Sequence, residues 1–524
     1  MPGSSLYNRA TLIDQLGKKD IWDILVIGGG ATGLGVALDA ALRGLSVVLF
    51  EQHDFAKGTS SRSTKLIHGG VRYLGQGDIK LVYSALHERD LLIKNAAHVV
   101  HPQSFIIPCY TYGDVIKYSA GLRVYDMLAG SFGLGRSRFI NRKKISERLP
   151  NINVEGLKGG VEYFDGQFDD SRLAINIAQT AIEESAVVLN YFKVNDIIKK
   201  DGRVSGVSAM NVENGVNYWV QAKVVINATG VFVDDILKMD DDKAGNSVRP
   251  SQGVHIVVDK KFIGSDSAML IPKTDDGRVL FAVPWHDHLL IGTTDTLVEK
   301  SSLEPVALES EVNFIMGTIN RYLLNAPKET DVKSVFAGLR PLAASSDHSK
   351  STKELSRDHK LFTSTSGMIT ITGGKWTTYR KMAEQTVDLA MKSIGSQRVK
   401  SKTAKKGLHG LRSPTGTSLS VYGTDEELII QLLGDEPSLA QILVDGYNYT
   451  KAEVVWAIRN EMAVTVEDIL ARRLRLLFLD ANAAITAATV VADIFQQEAG
   501  WSDKRKQEQL NEFYKIAYHY KLKR

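Results

Sequence analysis

The stretch Asp23-Ile-Leu-Val-Ile-Gly-Gly-Gly-Ala-Thr-Gly-Leu-Gly constrains this chain more than any other. Ile24 to Ile27 is a short apolar, β-branched run of the kind that forms a fully buried parallel strand. Glycines at 28, 30 and 33 follow in the spacing G-x-G-x-x-G, where that strand must turn into a helix. Gly28 permits the tight turn, Gly30 lets a pyrophosphate approach the backbone, and Gly33 lets the helix from Leu34 to Arg43 lie close on the strand. The anion then rests on N–H groups at a helix start. Gly44 stops the helix, Ser46-Val-Val-Leu-Phe makes a second strand, and Glu51 ends it about 20 residues beyond the glycines, where a carboxylate can bond an adenosine ribose. A glycine loop alone is often a mere turn; strand, helix, strand and acid together predict dinucleotide binding.

With 524 residues, 44% hydrophobic and 24% charged, the chain has the profile of a soluble globular protein with two or three domains. Its net charge of +4 is too small to imply nucleic acid and suits an anionic substrate or a membrane surface. A single cysteine, Cys109, excludes internal disulfides and paired-cysteine zinc sites; its expected role is buried packing, and no metal site is expected. Met1 to Asp20 lacks a signal-peptide core, and Ala481 to Phe495, the most apolar stretch, is broken by Asp493 and reads as a buried helix. Any membrane contact is therefore expected to be peripheral.

Past Glu51, the segment Gly58 to Leu74 mixes hydroxyls, glycines and cations without periodicity, which suits a loop wrapped round phosphates and a polar ring system. Ile79 to Ala97 and Tyr118 to Leu128 read as scaffold helices. Val161 to Phe168 reads as a strand with a turn, with Asp170 or Ser171 capping a helix from Leu173 to Glu184. Val187 to Ala228 reads as successive strands broken by Asp201-Gly202 and Asn214-Gly215, and the last of them ends in Gly230. A nicotinamide dehydrogenase fold does not normally insert such a meander before returning to the nucleotide sheet; a two-domain flavoprotein does.

Ser251 to Thr294 alternates as an antiparallel sheet, with turns at Asp275-Asp276-Gly277 and Trp285-His286-Asp287, and would supply the substrate side of a cleft. Arg340 precedes Pro341 and is therefore held in extended backbone. Met368 to Thr372 runs into Gly373, Gly374 and Lys375, a second strand-glycine-helix junction whose dipole and lysine favour an anion. Gly395 to Gly416 reads as a linker, followed by helices at 425–433, 438–443, 451–460, 466–479 and 481–497. The tail from Lys504 to Arg524 carries seven Lys or Arg against two Glu, with Leu510, Phe513, Tyr514 and Ala517 on one face. That face either packs on its own protein or lies on anionic lipid.

Ser61-Arg-Ser-Thr-Lys-Leu-Ile-His-Gly-Gly-Val-Arg-Tyr-Leu, Asn227-Ala-Thr-Gly, Gly253-Val-His-Ile-Val-Val, Ile291-Gly-Thr-Thr-Asp, Gly338-Leu-Arg-Pro-Leu and Gly373-Gly-Lys-Trp-Thr-Thr-Tyr-Arg follow the first motif in order. Together they resemble the FAD-dependent glycerol-3-phosphate dehydrogenases from about residue 20 to 390, and the helical C-terminal region is similar too. The resemblance implies an α/β fold: an FAD-binding, Rossmann-like, D-amino-acid-oxidase-like flavoprotein with an antiparallel substrate sheet and an all-α C-terminal domain. It divides the chain into an oxidoreductase region, 1–395, a linker, 396–416, and a helical domain, 417–524. Within 1–395, FAD-binding parts fall near 20–80, 185–235 and 355–392, and substrate-binding parts near 95–170 and 245–350.

The resemblance further implies oxidation of sn-glycerol 3-phosphate to dihydroxyacetone phosphate, electrons passing through FAD to a membrane quinone at the cytoplasmic face of an inner membrane, with room for a homodimer. Cofactor contacts carry over onto Gly28, Gly30, Gly33, Glu51, Thr59, Ser60, Ser61, Lys65, His68, Gly69, Val194, Ala228, Gly230, Gly374 and Lys375. Substrate contacts carry over onto Arg72, Tyr73, His255, Arg340, Arg357 and Lys375. Two departures are visible: Val231-Phe232 stands where the family often has Pro-Trp, and Val254 stands where a serine commonly precedes the histidine. Neither removes a charge. Residue chemistry supports the same reaction, because dehydrogenating a secondary alcohol needs a base, for which His255 is the candidate, and a phosphate dianion wants arginine, for which Arg340 and Arg357 are the candidates. An oxygen-using oxidase of the same family, an amino-acid oxidase of the same fold and a non-catalytic flavin-binding sensor or assembly protein are the rival readings.

Overall fold

The strand Ile21–Ile27 lies between two parallel neighbours, Val47–Phe50 and Asn217–Asn227, in the computed structural model, which describes residues 6–74, 77–274, 277–344 and 359–522. Ile24 to Val26 and Val47 to Leu49 are wholly buried, with helices packed on one face of these parallel strands and Phe192, stacked on Phe50, among the residues packed on the other. Each such side chain contributes about 1.5–3 kcal/mol by leaving water. The sheet extends through Val187–Leu189 on one side and Ile369–Gly373 and His359–Thr363 on the other. The hairpin Phe192–Lys200 and Arg203–Asn211 turns through Asp201 and Gly202, both at positive φ, as their pairing in the sequence predicts. The helix Ala31–Leu42 starts at the glycine turn, where a Cβ on Gly33 would lie 1.9 Å from the Gly28 carbonyl oxygen.

A second, ten-stranded sheet carries the region expected on the substrate side. Val248–Asp259 pairs antiparallel with Ser334–Ala343, setting His255 opposite Phe336, Gly253 opposite Gly338 and Ser251 opposite Arg340. Since side chains alternate along a strand, these six positions share one face. Farther along the same face Val257 joins Phe336 in the core of the C-terminal domain. The helical domain thus sits on the continuation of the surface that carries His255.

Several local expectations are corrected. Gly159–Phe168 is an unbroken strand, because Gly166 lies mid-strand, where a side chain would strike the Ile67 carbonyl. The next helix is Asp170–Glu183, and its cap is Asp169, which accepts from the Arg172 N–H. The expected helix 466–479 is instead a π turn, Asp468–Arg473, then Arg475 in the left-handed region (φ 64), then a short helix, Leu476–Leu479. Pro437–Ala440 is a single 3₁₀ turn where a helix was expected. Asp275 and Asp276 lie outside the described residues. The tail helix Asp503–His519 buries Leu510, Phe513 and Ala517 in the C-terminal core, so the face that could have met lipid is already covered.

The stretch expected as a linker is pinned along its length. Asn95 donates to the carbonyls of Thr403 and Ala404, Leu408 is buried, and the His409 N–H donates to Thr180 Oγ1. The His409 ring is held between Glu183 (2.5 Å), from the oxidoreductase region, and Asp425 (2.8 Å), from the helical domain. Burial opposes its charge, but the two carboxylates win and hold its pKa up to about 9. A raised histidine pKa stabilises the fold fully below its ordinary value of 6.5 and loses that contribution as pH rises through about 9. The melting temperature of His409→Gln is accordingly expected below wild type at pH 6, with the gap closing above pH 9; a gap that stays constant would contradict this clamp.

Candidate active site

Two adjoining cavities lie where the sheets meet. The larger, about 480 Å³, runs from Glu51 past Gly28 and Gly30, over Ala228 and Gly230, to Gly374. The smaller, about 220 Å³, is walled by Thr64, His68, His255 and Arg340. They share Thr59, Pro341, Gly374, Lys375 and Trp376, so the second opens onto the end of the first.

The larger cavity fits a dinucleotide. Glu51 is held at the end of its strand by the N–H groups of Gly29 (2.7 Å) and His53 (2.9 Å), which aim its carboxylate into the cavity. At the helix start Ser60 Oγ accepts from the Ala31 N–H (3.0 Å), and, chain neighbours apart, Ser60 Oγ at 3.1 Å is the one atom among the described residues within 4 Å of where a Gly30 Cβ would be. A side chain there would fill the cradle that a pyrophosphate needs. Val194 and Ser60 line the same cavity. At the far end Trp376 Nε1 donates to the Ser60 carbonyl, tying the second strand-glycine-helix junction to the hydroxyl loop.

In the smaller cavity, His255 stacks on Phe336 at 4.9 Å, and its Nε2 lies 3.0 Å from Thr64 Oγ1. Its Nδ1 is buried with no hydrogen-bond partner among the described residues, so Nε2, which faces the cavity, is the nitrogen able to exchange a proton. Burial, then the charges of Lys65 and Arg340, hold its pKa well below the usual 6.5, and the ring is neutral at neutral pH. Arg340 Nη2 donates to Thr293 Oγ1 and to the Thr294 carbonyl, both at 3.0 Å, while Asp295 lies 3.4 Å from Nη1. Glycines make room for both groups: a Cβ on Gly292 would lie 2.2 Å from the His255 ring, and one on Gly253 would lie 2.3 Å from Arg340 Nη2. A neutral base and a cation on one wall can take a proton from an alcohol and hold an anion beside it.

Not every residue expected at the cofactor lines it. Lys65 is corrected: its ammonium is wholly buried, 2.7 Å from Asp170 and 2.6 Å from the Ser61 carbonyl, and cannot reach a phosphate. Ser61 is buried beneath it. Gly69 packs inward, its N–H donating to Tyr125, and Gly33 packs on Gly28. His68 lies in the smaller cavity, on the opposite side from the glycine turn. The side chains of Arg72 and Tyr73, on the helix Val71–Leu74, and the whole of Arg357 lie outside the described residues. Thr64 and Trp376 lie inside motifs that resemble the family's, and Asp170 carries a helix-cap signal, but no local pattern marks its pairing with Lys65 and Arg475.

Comparison with known proteins agrees with this geometry. A family model for FAD dependent oxidoreductases matches residues 23–380, and one for the C-terminal domain of alpha-glycerophosphate oxidase matches residues 364–506. The chain is 40% identical over 538 residues to a mitochondrial glycerol-3-phosphate dehydrogenase of Arabidopsis thaliana, covering 94% of this chain and 85% of that one. It is 39% identical over 535 residues to the Homo sapiens mitochondrial glycerol-3-phosphate dehydrogenase, covering 95% and 73%. Among solved structures, the glycerol-3-phosphate dehydrogenase from Bacillus halodurans complexed with FAD superposes with a TM-score of 0.80 at 29% identity, covering 98% of both chains. Replacing Gly30 with Asp sets a carboxylate in the pyrophosphate cradle; the variant is expected to purify folded but without flavin absorbance, and a yellow Gly30→Asp protein would contradict the placement.

Proposed function

This chain belongs to the FAD-dependent glycerol-3-phosphate dehydrogenase family, and from that premise we propose that it oxidises sn-glycerol 3-phosphate to dihydroxyacetone phosphate and passes the electrons to a membrane quinone. The observation that carries the substrate is the pairing of neutral His255 with the cation Arg340 on one wall of a cavity that opens onto the flavin end of the larger one. FAD, held along Glu51, Gly28, Gly30, Ala228, Gly230 and Gly374, would supply the hydride acceptor at its N5.

The chain's own residues do the rest. Arg340, aimed by Thr293, Thr294 and Asp295, grips the phosphate, with Lys375 on the same wall. His255 Nε2 takes the proton of the C2 hydroxyl. The charge that depresses its pKa in the empty cleft includes Arg340, and a dianion on that guanidinium offsets it. Substrate binding thus raises the affinity of its own base for a proton. Trp376 and Leu339, both lining the smaller cavity, exclude water from the reacting carbon.

Three measurements test this reading. Arg340→Ala is expected to raise KM by a factor on the order of a hundred, and His255→Ala to lower kcat by a factor of about a hundred to ten thousand. Either variant behaving as wild type would remove its residue from the scheme. The acid limb of kcat/KM, which reports free enzyme, should lie well below pH 6.5, and that of kcat should lie higher; coincident limbs would contradict the dianion effect. Turnover with a quinone analogue should far exceed oxygen consumption, and stoichiometric peroxide would favour the oxidase reading.

Quinone reduction requires a meeting with the bilayer, and a face of the helix Tyr112–Ala129 supports one. Tyr112 and Ile116 are each 71% exposed and Met127 is 79% exposed, forming with Val124 an apolar stripe beside Lys117 and Arg123. Among the described residues no helix is long and apolar enough to cross a membrane, so this contact is peripheral. Ile116→Asp combined with Met127→Asp should reduce sedimentation with anionic vesicles and leave turnover with a soluble dye unchanged. Undiminished sedimentation would move the contact elsewhere.

A further inference from the structure

Asp170 opens the helix Asp170–Glu183, wholly buried, and its carboxylate accepts five hydrogen bonds. Oδ2 accepts from the Ser63 N–H (3.2 Å), the Ser63 hydroxyl (2.7 Å) and Lys65 Nζ (2.7 Å). Oδ1 accepts from the Ser171 N–H and from Arg475 Nη2, each at 2.9 Å. The Ser61 carbonyl accepts from the same two cations, Lys65 Nζ at 2.6 Å and Arg475 Nη2 at 3.0 Å. Ser63 Oγ also accepts from the Lys65 N–H. The segment Ser61 to Lys65 is therefore closed into a ring of hydrogen bonds, and from that ring Thr64 reaches the cavity and meets His255 Nε2.

Arg475 belongs to the C-terminal domain, where its left-handed backbone turns the guanidinium back toward the oxidoreductase region. A second route from that domain is apolar. Phe478 packs edge-on against Phe336 at 4.9 Å, and Phe336 stacks on His255 at 4.9 Å. Lys65 Nζ and the Arg475 guanidinium both lie over the Phe478 and Trp285 rings, at 4.4 to 5.3 Å. One buried carboxylate shared by two cations tolerates little displacement, because each lost bond strands a charge away from water.

We propose that Arg475 is a positioning residue for the proton-abstracting step: through Asp170 and the Ser61 carbonyl, the C-terminal domain fixes Thr64 against His255 Nε2, so that the Thr64 hydroxyl takes the substrate's proton as it donates its own to the ring. The inference rests on the oxidation proposed above. Arg340 is held by a separate set, Thr293, Thr294 and Asp295, so the phosphate grip does not depend on Arg475. Disturbing Arg475 slows proton removal and leaves substrate affinity in place.

The test compares Arg475→Gln, Arg475→Lys and Thr64→Val holoenzymes. Arg475→Gln is expected to lower kcat by a factor on the order of ten to a hundred while KM stays within about threefold. Arg475→Lys, which keeps the charge and one of the bonds, recovers most of kcat. The double variant Arg475→Gln with Thr64→Val is expected to be no slower than the slower of the two single variants, because both changes break one chain of contacts. Hydrogen–deuterium exchange over residues 58–70 should rise most in Arg475→Gln and much less in Arg475→Lys, a readout that answers whichever alcohol is the substrate. Wild-type kcat in Arg475→Gln, multiplicative losses in the double variant, or unchanged exchange would each overturn the inference. An inactive wild type with raised exchange in the Arg475 variants would instead leave the loop linkage standing and defeat the proposed reaction.

Discussion

A carboxylate wholly out of water must be surrounded by donors or lose its charge, and Asp170 solves this by collecting donors from three distant parts of the chain. Around it the hydroxyl loop, the helix Asp170–Glu183 and the C-terminal domain become one body. The arrangement repeats nearby: Asp54 accepts from both Arg472 and Arg473, and Arg172 pairs with Glu461 while lying over the Tyr422 ring. Removing the helical domain would expose several buried charges at once. The join between the two regions is therefore no hinge, and the C-terminal helices pack against the strands that carry His255.

The same constraint shapes the electrostatics of the smaller cavity. Burial pushes the Lys65 pKa down to about 7 against the pull of Asp170, with Arg475 adding to the push. Burial, and after it the charges of Lys65 and Arg340, keep His255 neutral, a state in which the ring can accept a proton. The cleft is poised for a substrate that brings its own negative charge. An uncharged alcohol would meet a base of poor proton affinity and an ungripped cation.

What the sequence made legible follows from how local each signal is. The glycine turn, the strands flanking it and Glu51 are written in thirty consecutive residues, and the structure has them in place. Residue chemistry and the family resemblance made His255 and Arg340 candidates, but that both share a face follows from a register that only the folded pairing of Val248–Asp259 with Ser334–Ala343 defines. Lys65 was carried over to the cofactor on the family resemblance, and nothing near it in the sequence announces that its ammonium is taken by a partner 105 residues on. Arg475 sits 305 residues from Asp170, in a stretch whose spacing suggests an ordinary helix. The segment after Gly395 has the composition of a linker, yet scattered bonds to Asn95 and Thr180 hold it down. Long-range ionic pairing leaves no periodic trace in a single chain.

The account stands or falls on whether electrons leave sn-glycerol 3-phosphate for a flavin in this cleft. The direct measurement is the visible spectrum of the purified holoenzyme, mixed with sn-glycerol 3-phosphate in the absence of oxygen and of any acceptor. Loss of the oxidised flavin absorbance within the mixing and turnover time, with an equivalent amount of dihydroxyacetone phosphate formed, is the predicted result. A spectrum that stays yellow at saturating substrate, or a preparation that holds no flavin, would contradict it.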